Sequence, residues 1–312
     1  MLVEVSQGDR IALHIDEPEF ANVQTPTVLL VHGLTGCHAA PYMIRFAHYF
    51  LSLNYRVCRM DMRGFGAAWA HSQNLSHAGR SDDCLAALST LAANTTGDLF
   101  AVGVSLGGNQ LLRGIGRIGA GLDPQPSWMS RLSGVAAVCP PIDLKRCADN
   151  MDRRRMRLYN HYFIRALLRR PPKLVAQRAD FQAIMRDRRP KTLRQLDEQF
   201  TAPLSGFDDA LHYYRESSAI EQIGAIRTPT LIIASKDDPI VPYECFSQDT
   251  CALGNIARTD KLNILSPRAG GHVGFIGRDN RSWLESTIEM FFRTYLSFQT
   301  GSGSISSATG DP

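Results

Sequence analysis

Short, continuous apolar runs recur along the chain, and most are separated by segments whose apolar positions repeat at helical spacing. The runs read as buried strands, and the 3.6-residue period reads as helices that bury one face. Residues 3–5 and 11–15 flank the turn-forming pair Gly8-Asp9 and predict an opening β-hairpin. Residues 27–31, 55–60, 99–104 and 134–139 predict four more strands. Helices are predicted at 42–53 and 82–91, and again where Leu111, Leu112, Ile115 and Ile118 line one face. After Ser217, residues 229–235 and 262–266 predict two further strands, and Trp283, Leu284, Ile288, Phe291, Phe292 and Tyr295 outline a closing amphipathic helix. This alternation requires right-handed crossovers, hence a mostly parallel sheet covered by helices on both faces.

The rhythm stops between residues 144 and 216, a helix-prone stretch broken by Pro171-Pro172 and Pro190. It reads as a helical lid inserted after the sixth core strand, dividing a core of residues 1–143 and 217–299. The small polar residues of 300–312 predict a disordered tail. Charge separates the same way. Residues 144–200 hold 16 Lys and Arg against 6 Asp and Glu, a local +10 in a chain whose net charge is +4. Arg153-Arg154-Arg155, Arg169-Arg170 and Arg188-Arg189 read first as a solvated helical face. The second reading is peripheral contact with anionic lipid through long-range attraction. No nucleic-acid motif accompanies the charge, and no nucleic-acid partner is expected.

With 44% apolar and 21% charged residues, the composition is that of a soluble globular protein. No apolar run approaches the roughly 18 residues of a membrane span, and no signal or transit peptide is read at the N-terminus, so a cytoplasmic location is expected. Seven cysteines without paired spacing argue against a disulfide framework and a zinc site.

Chemistry concentrates where predicted strands end. Gly103-Val-Ser105-Leu-Gly107 is a GxSxG between a predicted strand and a predicted helix. In that context it reads as a nucleophile elbow, a strained turn that exposes the hydroxyl beside the positive end of a helix. Ser105 is therefore the expected nucleophile. Serine at this position argues against dehalogenase and epoxide hydrolase chemistry, which uses aspartate on such a fold. Of nine histidines, only His272, in a glycine-rich loop after the predicted last strand, follows a plausible acid in the chain order serine, acid, histidine. The acid is expected at Asp238, with Asp237 the competing neighbour, read as a turn-capping carboxylate, and Asp143 an outside candidate. His32-Gly-Leu-Thr-Gly36 follows an early strand, and the backbone N–H groups of Leu34 and Leu106 are the expected oxyanion donors. His32 reads as a loop brace. No cofactor and no metal are called for.

These stretches resemble the YheT-like branch of the α/β-hydrolase superfamily. The likeness rests on residues 32–36, Arg63-Gly64, His77-Ala-Gly79 with Asp82-Asp83, residues 102–109, Thr201-Ala-Pro-Leu-Ser-Gly-Phe207, Tyr213-Tyr214, Asp237-Asp-Pro239 and residues 270–275. It spans roughly residues 27 to 295. The resemblance implies a carboxylesterase or acylglycerol lipase acting on small-molecule esters of short- to medium-chain acids through Ser105, Asp238 and His272. Asp61 stands where the family pattern has asparagine, and Ser76 where it has an aromatic, which bears on specificity more than on reaction type. An acyltransferase using the same acyl-enzyme, or a non-catalytic binding protein on this fold, are the alternatives.

Overall fold

A computed structural model of the chain describes residues 1–247, 261–275, 277 and 283–296. The predicted tail and Cys251 lie outside the described residues. The strands are β1 (Leu2–Glu4), β2 (Arg10–Asp16), β3 (Thr27–Val31), β4 (Arg56–Asp61), β5 (Leu99–Val104), β6 (Leu132–Val138), β7 (Thr230–Ile233) and β8 (Leu262–Leu265). They form one sheet in the order β1-β2-β4-β3-β5-β6-β7-β8. The hairpin β1–β2 and the β2–β4 pair are antiparallel, and the other pairs are parallel.

Side chains alternate across the sheet, so each central strand feeds two cores. Leu29 and Val31 of β3 face the side covered by α2 (Ser81–Asn94) and α3 (Leu106–Gly119), where Leu88, Leu111 and Ile115 pack. Val28 and Leu30 face α1 (Pro41–Ser52) and the C-terminal helix Trp283–Arg293, which bring Phe46, Phe50 and Phe292. Burial on both faces explains why β3 and β5 read as unbroken apolar runs.

Between β6 and β7 the described chain is helical: α4 (Leu144–Met151), α5 (Arg157–Arg169), α6 (Ala179–Asp187), α7 (Leu193–Leu196), α8 (Ala202–Leu204) and α9 (Ala210–Ser217), with a π-helical turn, Asp197–Thr201, joining α7 to α8. In this numbering Trp283–Arg293 is α10. The segment has its own apolar cluster of Val175, Phe181, Leu196, Phe200 and Leu204. Its two ends meet where the Leu144 N–H donates to Ser218 Oγ (3.0 Å). Buried Asn109 of α3 fastens the same place, donating to the carbonyls of Ala78 (3.1 Å) and Ser217 (2.9 Å) and accepting from the Ala219 N–H (3.0 Å). An amide satisfied at three points in a dry interior is costly to replace.

Candidate active site

Ser105 sits between β5 and α3 with φ 52° and ψ −117°. That left-handed backbone is sterically costly for any residue with a β-carbon, and the surroundings leave room for little else. A β-carbon on Gly103 would fall 2.5 Å from the Gly107 carbonyl oxygen, and one on Gly107 would fall 2.7 Å from the carbonyl oxygens of both Val31 and His32. The two glycines let the strand-to-helix turn close against β3, and the turn leaves the serine side chain at the head of α3.

His272 bridges two groups there. Its Nε2 lies 2.9 Å from Ser105 Oγ and its Nδ1 2.8 Å from Asp238 Oδ2. With Asp238 accepting from Nδ1–H, Nε2 is free to take the serine proton. The Asp238 side chain is only 2% exposed, and its other oxygen accepts the N–H groups of Ile240 (2.8 Å) and Val241 (3.1 Å). Asp237 does different work. One of its oxygens accepts the N–H groups of Gly270 (3.0 Å) and Gly271 (2.8 Å), pinning the turn that carries the histidine. The Ser235 hydroxyl, followed by those N–H groups, holds the Asp237 carboxyl below the usual range. β7 ends at Ile233, short of the predicted residue 235, so both aspartates belong to the following turn rather than to the strand end. Asp143 lies apart as the N-cap of α4, accepting from the Arg146 N–H.

The loop after β3 faces the serine. Gly33 N–H donates to Tyr42 Oη (2.9 Å), which removes one neighbouring donor. Among the described residues no acceptor is paired with the N–H of Leu34 or Leu106, and both residues line the cavity that contains Ser105 and His272. His32 is wholly buried: its Nε2 accepts the Met62 N–H (3.2 Å), so Nδ1–H donates to the Gly33 carbonyl (2.7 Å). Burial lowers its pKa and keeps the ring neutral, as a brace between two loops requires. A second brace was not read from the sequence. Buried Asp61 accepts from the ring nitrogens of His14 (2.9 Å) and His38 (2.8 Å) and from the backbone N–H groups of His38 and Ala67. Burial pushes this carboxyl up, but these donors outweigh it and hold the pKa down. The three side chains come from β2, β4 and a loop, so no local motif announces them.

The cavity measures about 190 Å³ and is walled largely by apolar side chains. The core supplies Gly64, Phe65 and His77, and the helical segment supplies Leu144, Met151, Phe163, Leu167 and Phe200. Its polar wall joins Thr201 and Tyr214, from stretches that carry the family likeness, to Asp197, which the sequence reading missed. Asp197 sits among Arg194, Gln195, Glu198 and Gln199, so no local pattern sets it apart.

The sequence profile of the alpha/beta hydrolase family matches residues 28–279. The chain belongs to that family. The expected likeness to YheT extends over most of the chain: the Escherichia coli (strain K12) protein is 27% identical over 306 residues, 94% of this chain and 84% of YheT. A medium-chain fatty acid ethyl ester synthase/esterase of Saccharomyces cerevisiae is 28% identical over 89% of this chain, which spans 64% of the yeast protein. Among solved structures, the Pyrococcus furiosus esterase Pf2001 superposes with a TM-score of 0.61 at 16% identity, covering 95% of this chain and 91% of the esterase. The expected mostly parallel, doubly covered sheet is thus the alpha/beta hydrolase fold. The relatives support a hydrolase acting on esters in general. Among the described residues no helix is long and apolar enough to cross a membrane.

Proposed function

We propose that the chain is a serine carboxylesterase that cleaves short- to medium-chain esters through an acyl-enzyme. The observation that carries this reading is the unbroken hydrogen-bonded line from Asp238 through His272 to Ser105 at an apolar cavity. In the proposed reaction Ser105 Oγ attacks the ester carbonyl and gives its proton to His272 Nε2. The N–H groups of Leu34 and Leu106 receive the developing oxyanion. His272 then protonates the departing alcohol, and water, deprotonated by the same nitrogen, releases the acid. Asp238 keeps the imidazole in the reactive tautomer and balances its charge.

The acyl-length proposal rests on the cavity wall. Phe163, Leu167, Leu168, Phe181 and Phe200 line it, whereas Leu158 faces solvent and Ile184 packs in the insertion's own cluster. Each methylene buried there contributes about 0.8 kcal/mol, so kcat/KM should climb with chain length until the cavity is filled. In this reading residues 144–216 are the lid, and its outer face meets anionic lipid. Turnover of p-nitrophenyl esters from acetate upward, with Ser105→Ala as control, tests the reaction and the length limit together. No turnover by the folded parent would overturn it. A second reading is supported by the yeast relative's name, which joins synthase to esterase. Ethanol in place of water would resolve the acyl-enzyme to an ethyl ester, and product analysis with added ethanol distinguishes the two.

A further inference from the structure

Asp197 is an unpaired carboxylate in a cavity lined mostly by apolar side chains; Arg170, the cation in that lining, lies over the Trp69 ring, 5.0 Å from its centroid. It opens the π-helical turn, and Asp197, Phe200 and Thr201 of that turn all face the space that holds Ser105. π-Helical turns are uncommon and concentrate at functional sites, because the extra residue redirects side chains that an α-helix would turn away. Tyr214 Oη donates to Asp197 Oδ2 (2.8 Å), and the Thr201 hydroxyl adds a second bond. Arg194, whose charge acts on Asp197, is paired elsewhere. Arg194 donates to Asp149 and to Asp152 (2.6 Å), and its guanidinium lies over the Tyr214 ring, 5.9 Å from the centroid. Among the described residues Asp197 forms no ion pair.

Asp197 is half-buried; a carboxylate partly taken out of water needs several donors, and two hydroxyls leave lone pairs unmet. An apolar chain alone would strip the remaining water and return nothing. Burial raises the Asp197 pKa to about 6, with the Thr201 and Tyr214 bonds and then the Arg194 charge opposing. We infer that Asp197 is a specificity-determining residue whose free carboxylate oxygen accepts a hydrogen bond from a hydroxyl group of the substrate, so that hydroxyl-bearing esters are preferred over plain alkyl esters of equal acyl length. The inference rests on the proposed esterase reading and narrows its substrate class. Sites built around a substrate hydroxyl discriminate strongly against analogues lacking it, since the protein's acceptor is then buried unpaired.

The test compares ethyl octanoate, mono-octanoylglycerol and the ethyl ester of the ω-hydroxy acid, the last two placing hydroxyls on the alcohol and acyl sides. The parent should prefer at least one hydroxyl-bearing ester by roughly tenfold or more in kcat/KM. Asp197→Ala should bring that ratio close to one, and Asp197→Asn, whose amide oxygen still accepts, should keep part of it. Calorimetric binding of 1-O-octylglycerol, an uncleavable ether, gives a readout independent of turnover, and Asp197→Ala should weaken it to a similar extent. A parent that cleaves all three esters alike, or a preference and ether affinity untouched in both variants, overturns the inference while leaving the esterase reading in place. A parent that binds the ether through Asp197 but cleaves no ester overturns the esterase reading instead.

Discussion

A serine hydroxyl is a weak nucleophile until its proton has an acceptor, and among the described residues the only ring nitrogen within hydrogen-bond reach of Ser105 Oγ is His272 Nε2. Ser105→Ala should therefore abolish turnover without disturbing the fold, and a fluorophosphonate probe should label the parent alone; labelling of both would remove Ser105 from the reaction. The adjacent aspartates make a sharper comparison. Asp238→Asn should lower kcat by about 10⁴-fold by favouring the wrong imidazole tautomer. Asp237→Asn should cost far less, because an amide oxygen can still accept the Gly270 and Gly271 N–H groups. The reverse ranking in steady-state kinetics would exchange their roles. Sequence favoured Asp238 from its place before Pro239, but side-chain direction in that turn separates the two. The turn points Asp238 at the ring and Asp237 at the loop beneath it.

The strand-to-helix elbow is the element on which these distances depend. Gly107→Ala would drive a methyl group against the Val31 and His32 carbonyls, forcing α3 away from β3 and carrying Ser105 with it. Overpacking of this kind costs about 1–3 kcal/mol. The urea midpoint should fall accordingly, with a loss of p-nitrophenyl butyrate turnover well beyond the loss of folded protein; parent-like turnover would mean that the elbow has slack. Elements buried on two faces were legible in the sequence. β3 and β5 are nearly continuous apolar runs, and α1, α3 and α10 show a single apolar stripe. The helices between β6 and β7 were legible only as a group. Their apolar side chains are divided among a private cluster, the cavity and solvent, so no single stripe marks each one. Asp197 was hidden for a related reason: its partner Tyr214 arrives from α9, and the cavity that gives both a purpose exists only after folding.

At the scale of the whole molecule, buried charge and exposed basic surface act on different properties. The raised Asp197 pKa ties stability to pH. Below the ordinary carboxyl value of 3.8 both folded and unfolded states carry the proton, and stability is lost as pH rises through about 6, by at most about 3 kcal/mol. Asp197→Asn should accordingly gain Tm relative to the parent between pH 4 and pH 7, and a constant difference would contradict the shift. The outer face of α5 raises a separate question. Leu158 is 83% exposed and Tyr162 62% exposed, and Arg153, Arg154, Arg155, Arg157 and Arg165 are exposed beside them. Apolar tips set among guanidinium groups suit a surface that is anionic outside and hydrocarbon beneath. Each basic residue near such a surface contributes about 1 kcal/mol at low salt, and the contribution fades beyond a Debye length. Vesicles of phosphatidylglycerol should therefore sediment with the protein in low salt, and neutral phosphatidylcholine vesicles should not. Replacing Arg153, Arg154 and Arg155 with Gln should weaken the partition by tenfold or more and flatten its salt dependence, while Leu158→Asp should weaken it at every salt concentration. Equal partition of parent and variants would leave the arginines as a solvated face, with the helical segment between β6 and β7 serving only the cavity it lines.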